Sequence, residues 1–454
     1  MREKIVCCGV CESESVAQGA NADKIRTMHA RRRHPYHITF SYKPNTILKS
    51  DTNVSEQRKL PTSKMGIYAI GSNGSGQLGI GHEEDVSVPK DAQFHASFPP
   101  TSGGPMTIRG GGNHTLLLTP TGMLLSSGAI THGARGRYFL PPTTTRSFSP
   151  VLLSFSASAE AEAQVPPDSD ELWGPDAFKS AEADIKANPK VTHCAAMWES
   201  SVVVAADAAG KARDVYTFGM GQKGELGQGP LIIRSPRPEL LPNFPPPDTE
   251  IVDLAACMGH VIAVLDNGDV YGWGNGRKGQ LGELAEVVHE PRKIEGITFP
   301  VTRAVCGREF TYLLGAKGGG ESAFLGKDKW DVKPPADADI KGWIDVGAGW
   351  GNIVLLKDNG NVLSWGRNDH GQCAPPDLPP VDKIAVGSEH TLALTRDGDV
   401  LAWGWGEHGN CGPGKEDVRV KDNVVASSKH LPEGSSIVSI GAGCATSWVC
   451  VLDG

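Results

Sequence analysis

The chain has 454 residues, a formal net charge of −8, 56 Gly and 32 Pro, with 6% aromatic and 21% charged residues. So much glycine and proline is high for a helical protein and suits a loop-rich soluble β protein. With no run of about 18 apolar residues, there is no helical membrane span. The charge is uneven: Lys and Arg outnumber Asp and Glu 12 to 6 in residues 1–64, leaving 32 basic and 46 acidic residues in the remainder. That acidic body argues against direct nucleic-acid binding by bulk charge.

Residues 1–64 are polar and basic without a sustained helix or strand period, and they read as a disordered extension. Arg31, Arg32 and Arg33 admit a nuclear address or a nucleic-acid contact, with a solvated tail as the preferred reading. Cys8-x-x-Cys11 is half of a zinc motif whose second half is missing, so no metal site is assigned. Ile5 to Cys11 is too short for a secretory h-region. The later cysteines, from Cys194 to Cys450, sit singly, which suits a reduced, intracellular chain in the cytoplasm, with the nucleus as a second compartment.

From Met65 onward the sequence repeats. GIYAIGSNGSGQLG (66–79) supplies a strand and a glycine loop without the half-unit that should precede them. That half appears at GGNHTLLLTPTG (111–122), CMGHVIAVLDNG (257–268), GREFTYLLGAKG (307–318), GWGNIVLLKDNG (349–360) and GSEHTLALTRDG (387–398), and again at the end as GCATSWVCVLDG (443–454). The Asp/Asn-Gly pair predicts a two-residue type I′ hairpin. After it, as in DNGDVYGWGNGRKGQLG (266–282), come a strand and a glycine loop in which Leu281 is the one apolar plug. An outer strand bounded by proline, Pro291 to Ile297, completes the unit.

The glycines that end the second strands are Gly71, Gly128, Gly219, Gly274, Gly326, Gly366 and Gly404. They predict an all-β, seven-bladed β-propeller over 65–454, closed by pairing the N-terminal strand, from residue 66, with the C-terminal one. One interval is long because of an Ala/Glu-rich acidic insertion, about 156–190, read as a surface loop with some helix around Pro175 to Ala187. A partner-docking element is its alternative reading.

Little of the chain carries catalytic chemistry. Gly219 to Gly224, Gly274 to Gly279 and Gly404 to Gly409 match GxGxxG, but the dinucleotide fingerprint needs a helix next, and here a further strand is expected. His114, His260 and His390 share a repeat position with Phe310, Asn352 and Thr446, so they read as hydrogen-bonded structural residues. No catalytic triad, Walker loop or HExxH motif is present, so the chain is read as a non-enzyme without cofactor or bound metal.

The loops GSNGSGQLG, GMGQKGELG, GNGRKGQLG, GRNDHGQC and GWGEHGNCG are similar to those of the regulator of chromosome condensation repeat family. The units around Ser126-Ser127-Gly128 and Phe324-Leu325-Gly326 lack its Trp-Gly pair. Within the family, GQLGIGHEEDVSVP (76–89) and WGWGEHGNCG (403–412) resemble the branch holding the fungal alpha-tubulin suppressor, or killer-toxin-insensitivity protein, and an animal secretion-linked exchange factor. That resemblance implies a non-catalytic partner of a small CSL-type zinc/iron protein, serving diphthamide synthesis and Elongator-dependent modification of tRNA wobble uridines. Guanine nucleotide exchange on a small GTPase is the alternative, with 156–190 as the candidate wedge; chromatin binding through Arg31 to Arg33 is a weaker third.

The candidate protein-binding residues are Trp350, His370, Trp405, Glu407 and His408. His370 aligns with Lys278, and Trp405, Glu407 and His408 with Asn275, Arg277 and Lys278. Side chains that vary where the frame repeats are not needed by the frame. Two tryptophans near one another would supply interface anchors.

Overall fold

The computed structural model describes residues 65–94, 104–136, 146–153, 183–335, 338–413 and 423–454. Seven antiparallel sheets make up the described residues. Blade I takes β1 (Met65–Gly71) and β2 (Val86–Asp91) from one end of the sequence and β25 (Ser436–Ala442) and β26 (Thr446–Leu452) from the other, in the order β2-β1-β26-β25. Blades II to VII run consecutively: β3–β6 between Thr107 and Pro150, β7–β10 between Val191 and Leu240, β11–β14 between Ile251 and Lys293, β15–β17 between Arg303 and Gly326, β18–β20 between Trp343 and Gly366, and β21–β24 between Val381 and Ser427. The first strand of each blade touches the first strand of the next, and β25 touches β3, so the ring is closed.

Closure rests on an unbroken register from Met65↔Leu452 to Gly71↔Thr446. Met65, Ile67, Ala69 and Leu78 from the beginning share one buried cluster with Trp448 and Cys450 from the end. Pairing the two ends removes the open edges that a row of sheets would otherwise present.

Each glycine that ends a third strand, as blades II to VII number them, is required by its surroundings. Gly71, Gly128, Gly219, Gly274, Gly326, Gly366 and Gly404 have φ between +99° and +116°. A Cβ at any of them would overlap a backbone carbonyl: Ala445, Asn113, Glu199, Gly259, Glu309, Gly351 or Glu389, respectively. The residue after each glycine donates its N–H to that same carbonyl, from Asn275 to Gly259 at 2.7 Å and from Trp405 to Glu389 at 2.8 Å, for example. The glycine thus lets one strand turn back over the loop that begins its neighbour.

Two local expectations are corrected. The hairpin is not a two-residue type I′ turn: Gly268 has φ +85° while Asn267 is absent from the residues with positive φ. Gly268 N–H donates to Leu265 C=O at 2.9 Å and Leu265 N–H to Asp269 C=O at 2.9 Å. This is a three-residue loop with the glycine alone left-handed, the arrangement of a G1 bulge, which also matches strand twist. The outer strand β14 covers Val287–Lys293 rather than Pro291 to Ile297. Pro291 falls inside it because an edge strand with a register shift between Gly272 and Gly274 does not need that N–H. Leu281 does plug the glycine loop, at 2% exposure.

The histidines join blades. Nε2 of His114, His260 and His390 lies 2.8, 3.0 and 2.8 Å from the hydroxyls of Ser201, Thr311 and Ser447 in the following blade. Those hydroxyls donate in turn to the carbonyls of Ala134, Gln280 and Asn410 in the glycine loops. Since each hydroxyl hydrogen is spent, Nε2–H must be the donor, leaving Nδ1 bare and without a buried partner. Burial then holds His114 down to about 3, helped by Arg135, and His260 and His390 to about 4.

Of the acidic insertion, residues 156–182 lie outside the described residues, as do 1–64 with Arg31 to Arg33 and the Cys8-x-x-Cys11 pair. Residues 183–187 form a short helix. Among the described residues no helix is long and apolar enough to cross a membrane.

Candidate protein-binding face

In a four-stranded antiparallel blade, the loop between its first and second strands and the loop after its third strand emerge on the same face of the ring. Trp350 lies between β18 (Trp343–Ala348) and β19 (Asn352–Lys357). His370 follows β20 (Val362–Gly366), and Trp405, Glu407 and His408 follow β23 (Asp399–Gly404). All five candidate residues therefore share one face.

Near the axis, the inner loops are linked blade to blade by backbone hydrogen bonds: Gly112 N–H to Trp198 C=O, Trp198 N–H to Met258 C=O, Arg308 N–H to Trp350 C=O, and Trp350 N–H to Ser388 C=O. They rim a central channel of about 280 Å³ lined by the first strands of all seven blades. Trp198 of blade III and Trp350 of blade VI reach across its mouth, ring centroids 6.0 Å apart and tilted by 49°. Arg308 of blade V lies 5.7 Å from the Trp350 ring, a cation–π distance. Farther down, Arg303 bridges three blades through Asp253 at 2.9 Å and Asp345 at 3.4 Å.

Toward the rim, His370 stacks on Trp405 at 4.4 Å and 20°. His408 Nδ1 meets Asp85 Oδ2 at 2.9 Å, tying blade VII to blade I, and Glu407 is exposed. Beneath them Arg367 holds Asp369 through Nε at 2.8 Å and Nη2 at 2.9 Å, and holds Glu389 through Nη1 at 2.6 Å. Glu389 also accepts from Gln372 Nε2 at 2.8 Å. Burial pushes the Glu389 carboxyl above its usual range, against the pull of Gln372 and Arg367.

The five residues thus fall into two groups. The two candidate tryptophans each meet a different ring, Trp350 that of Trp198 and Trp405 that of His370. Trp198 and Arg308 escaped sequence reasoning. Their signal was the second position of the inner loop, where the copies read Gly112, Trp198, Met258, Arg308, Trp350, Ser388 and Cys444. The matching stretch at Met197 to Ser200 lacks the glycine that flags most other copies.

What this face presents is half-buried aromatic surface, exposed carboxylates that include Asp369 and Glu407, and side chains fixed by ion pairs and stacking. Such groups suit docking, since their conformational entropy is already lost before a partner arrives. The GxGxxG loops at 219–224 and 274–279 lead to β10 and β14 rather than to helices, so these two offer no helix N-terminus to a pyrophosphate.

Comparison with known proteins agrees with this architecture. An RCC1 repeat-containing protein of Schizosaccharomyces pombe is 31% identical over 392 residues, 85% of this chain and 98% of that protein. The secretion-regulating guanine nucleotide exchange factor of Bos taurus is 26% identical over 72% of this chain and 82% of its own length. The crystal structure of Prp20p from Saccharomyces cerevisiae, described with its binding to Gsp1p and histones, superposes with a TM-score of 0.66 at 19% identity, covering 87% of this chain and 93% of that one, and speaks for the fold alone. The RCC1-like domain model matches residues 66–449, and the chain belongs to that family.

Proposed function

We propose that this propeller is a non-catalytic protein-binding platform, cytoplasmic with the nucleus as a second compartment, whose partner docks on the glycine-loop face. The observation that carries this reading is a fixed frame with variable decoration. The seven glycines and their carbonyl contacts repeat in every blade, whereas Trp350, His370, Trp405, Glu407 and His408 occupy positions that differ between blades yet share one face. The partner we favour is a small CSL-type zinc/iron protein in diphthamide synthesis and Elongator-dependent tRNA wobble uridine modification. Its identity rests on the resemblance of the first and last repeats, at 76–89 and 403–412.

The test is capture of a purified CSL-type protein by the full chain in biolayer interferometry. Glu407→Ala with His408→Ala should weaken capture by about 1 to 3 kcal/mol while the melting temperature falls only slightly, since the Asp85 contact is a surface pair. Full affinity in the double variant would move the docking face elsewhere, and no capture by the wild-type chain would remove this partner.

A second reading, exchange on a small GTPase, is favoured by the similarity to the secretion-regulating exchange factor. It predicts that catalytic amounts of the chain accelerate release of a fluorescent GDP analogue from its GTPase. Unchanged release across a panel of small GTPases would count against it.

A further inference from the structure

Beside the residues considered so far, the same face holds a cavity of about 290 Å³ between blades IV and V, next to Trp198, whose charged and amide lining is Lys223, Glu225, Lys278, Gln280, Arg308 and Glu309. Gln280 is fully buried. Its Oε1 accepts from Lys278 N–H at 2.8 Å, but its Nε2 has no acceptor among the described residues. A desolvated donor left empty is unfavourable, and an acceptor arriving from outside would recover that cost.

The ring carries its own example of what fits there. One boundary with the same layout, between blades VI and VII, has Gln372 where blade IV has Gln280. Its Oε1 accepts from His370 N–H at 2.9 Å, and its Nε2 donates to Glu389 at 2.8 Å while Arg367 donates to the other oxygen at 2.6 Å. Glu309 occupies the repeat position of Glu389, but Asn275 replaces Arg367. Asn275 is short and neutral, so nothing draws Glu309 onto the amide, and Glu309 stays half-buried at the side. Three cations line the pocket, Lys278 in the place of His370, Arg308 in the place of Ser388, and Lys223 from the glycine loop of blade III, while the second carboxylate on its wall, Glu225, is already engaged by its own loop through Lys223 N–H at 2.5 Å. Among the described residues, none of the three has a carboxylate within ion-pair distance.

We propose that this pocket binds a carboxylate side chain from an acidic segment of a partner protein, with Gln280 Nε2, Lys278 and Arg308 rebuilding around it the cradle that Gln372 and Arg367 form around Glu389. This deepens the reading of the face as a protein-binding surface and rests on it. A carboxylate is favoured over a nucleic-acid phosphate because the anion this repeat already holds is a planar carboxylate shared between an amide and a guanidinium.

The experiment is fluorescence anisotropy of the full chain with a labelled ten-residue Glu/Gly peptide, its Gln/Gly counterpart and a ten-nucleotide oligouridylate. The Glu peptide should bind at least tenfold more tightly than either other probe. Lys278→Glu, a surface change, should weaken it tenfold or more, and Gln280→Glu, which keeps the Oε1 acceptor, should do the same. Equal binding of the Gln peptide, equal or tighter binding of the oligouridylate, or wild-type affinity in Lys278→Glu would overturn the proposal. So would binding that appears only in Glu309→Ala, because Glu309 would then fill the cradle itself. Loss of CSL-type capture with Lys278-dependent peptide binding intact would count against the partner reading alone; the reverse pattern would count against this inference alone.

Discussion

Acid should loosen the ring through His114, His260 and His390. Burial holds these imidazoles at about 3, 4 and 4, whereas an unfolded histidine titrates near 6.5. A group whose folded pKa lies below its unfolded one contributes its stability fully above pH 6.5 and loses it as the pH falls toward the folded value. At pH 5 the unfolded chain has gained these protons and the folded chain has not. That costs about 1.5 pH units at 1.36 kcal/mol each, or about 2 kcal/mol per histidine and about 6 for the three, comparable with the whole stability of an ordinary domain. The perturbation is the triple variant His114→Gln, His260→Gln and His390→Gln. Glutamine Nε2 can still donate to Ser201, Thr311 and Ser447 but does not titrate. Lost packing against Gly111 and Gly387 lowers stability equally at both pH values, so only the difference between them reads the titration. Urea denaturation at pH 7 and pH 5 measures it: the wild-type chain should lose about 6 kcal/mol more between the two than the variant. Equal losses in both would mean that the three histidines are not what senses acid, and the inter-blade donor assignment would fail with them.

Other consequences follow from packing and backbone. Trp448 is fully buried at the closing sheet and meets Phe148 edge-on at 5.7 Å; Trp448→Ala should cost about 3 to 5 kcal/mol in denaturant titration, and a loss below about 1 kcal/mol would contradict closure through β1 and β26. Removing Ser447 to Gly454 should cause aggregation or early melting of the whole ring, checked by light scattering during a thermal scan; an unchanged melting curve would mean another element seals blade I. Gly274→Ala forces a side chain onto the Gly259 carbonyl at φ +103° and should destabilise by at least about 1 to 3 kcal/mol, whereas Gly296→Ala, which carries the left-handed strain at φ +84° but no overlap, should show less. Leu281→Ala should cost about 2 to 5 kcal/mol by the same measurement, since that side chain is packed into the largest core cluster.

Blade number and ring closure were legible in the sequence because each rests on a local rule that repeats. A glycine must stand wherever a Cβ would strike the carbonyl of the neighbouring loop, and an orphan half-unit at each end of the repeats has only the other to pair with. The hairpin type and the span of β14 were misread because Asn-Gly chemistry suits more than one turn and an edge strand excuses its prolines; bulges and register settle both. For the binding face, three columns of varying glycine-loop residues were visible, and Trp350, His370, Trp405, Glu407 and His408 do share a side. Partnership was not visible. Trp350 meets Trp198 because the inner loops of blades III and VI converge across the channel mouth, some 150 residues apart in the chain. Likewise Gln280 and Gln372 look identical in their GQ loops, yet one amide holds Glu389 and the other holds nothing. The difference lies in whether residue 275 or 367 is long and charged enough to reach the carboxylate of the next blade, a distance that only the tertiary structure determines.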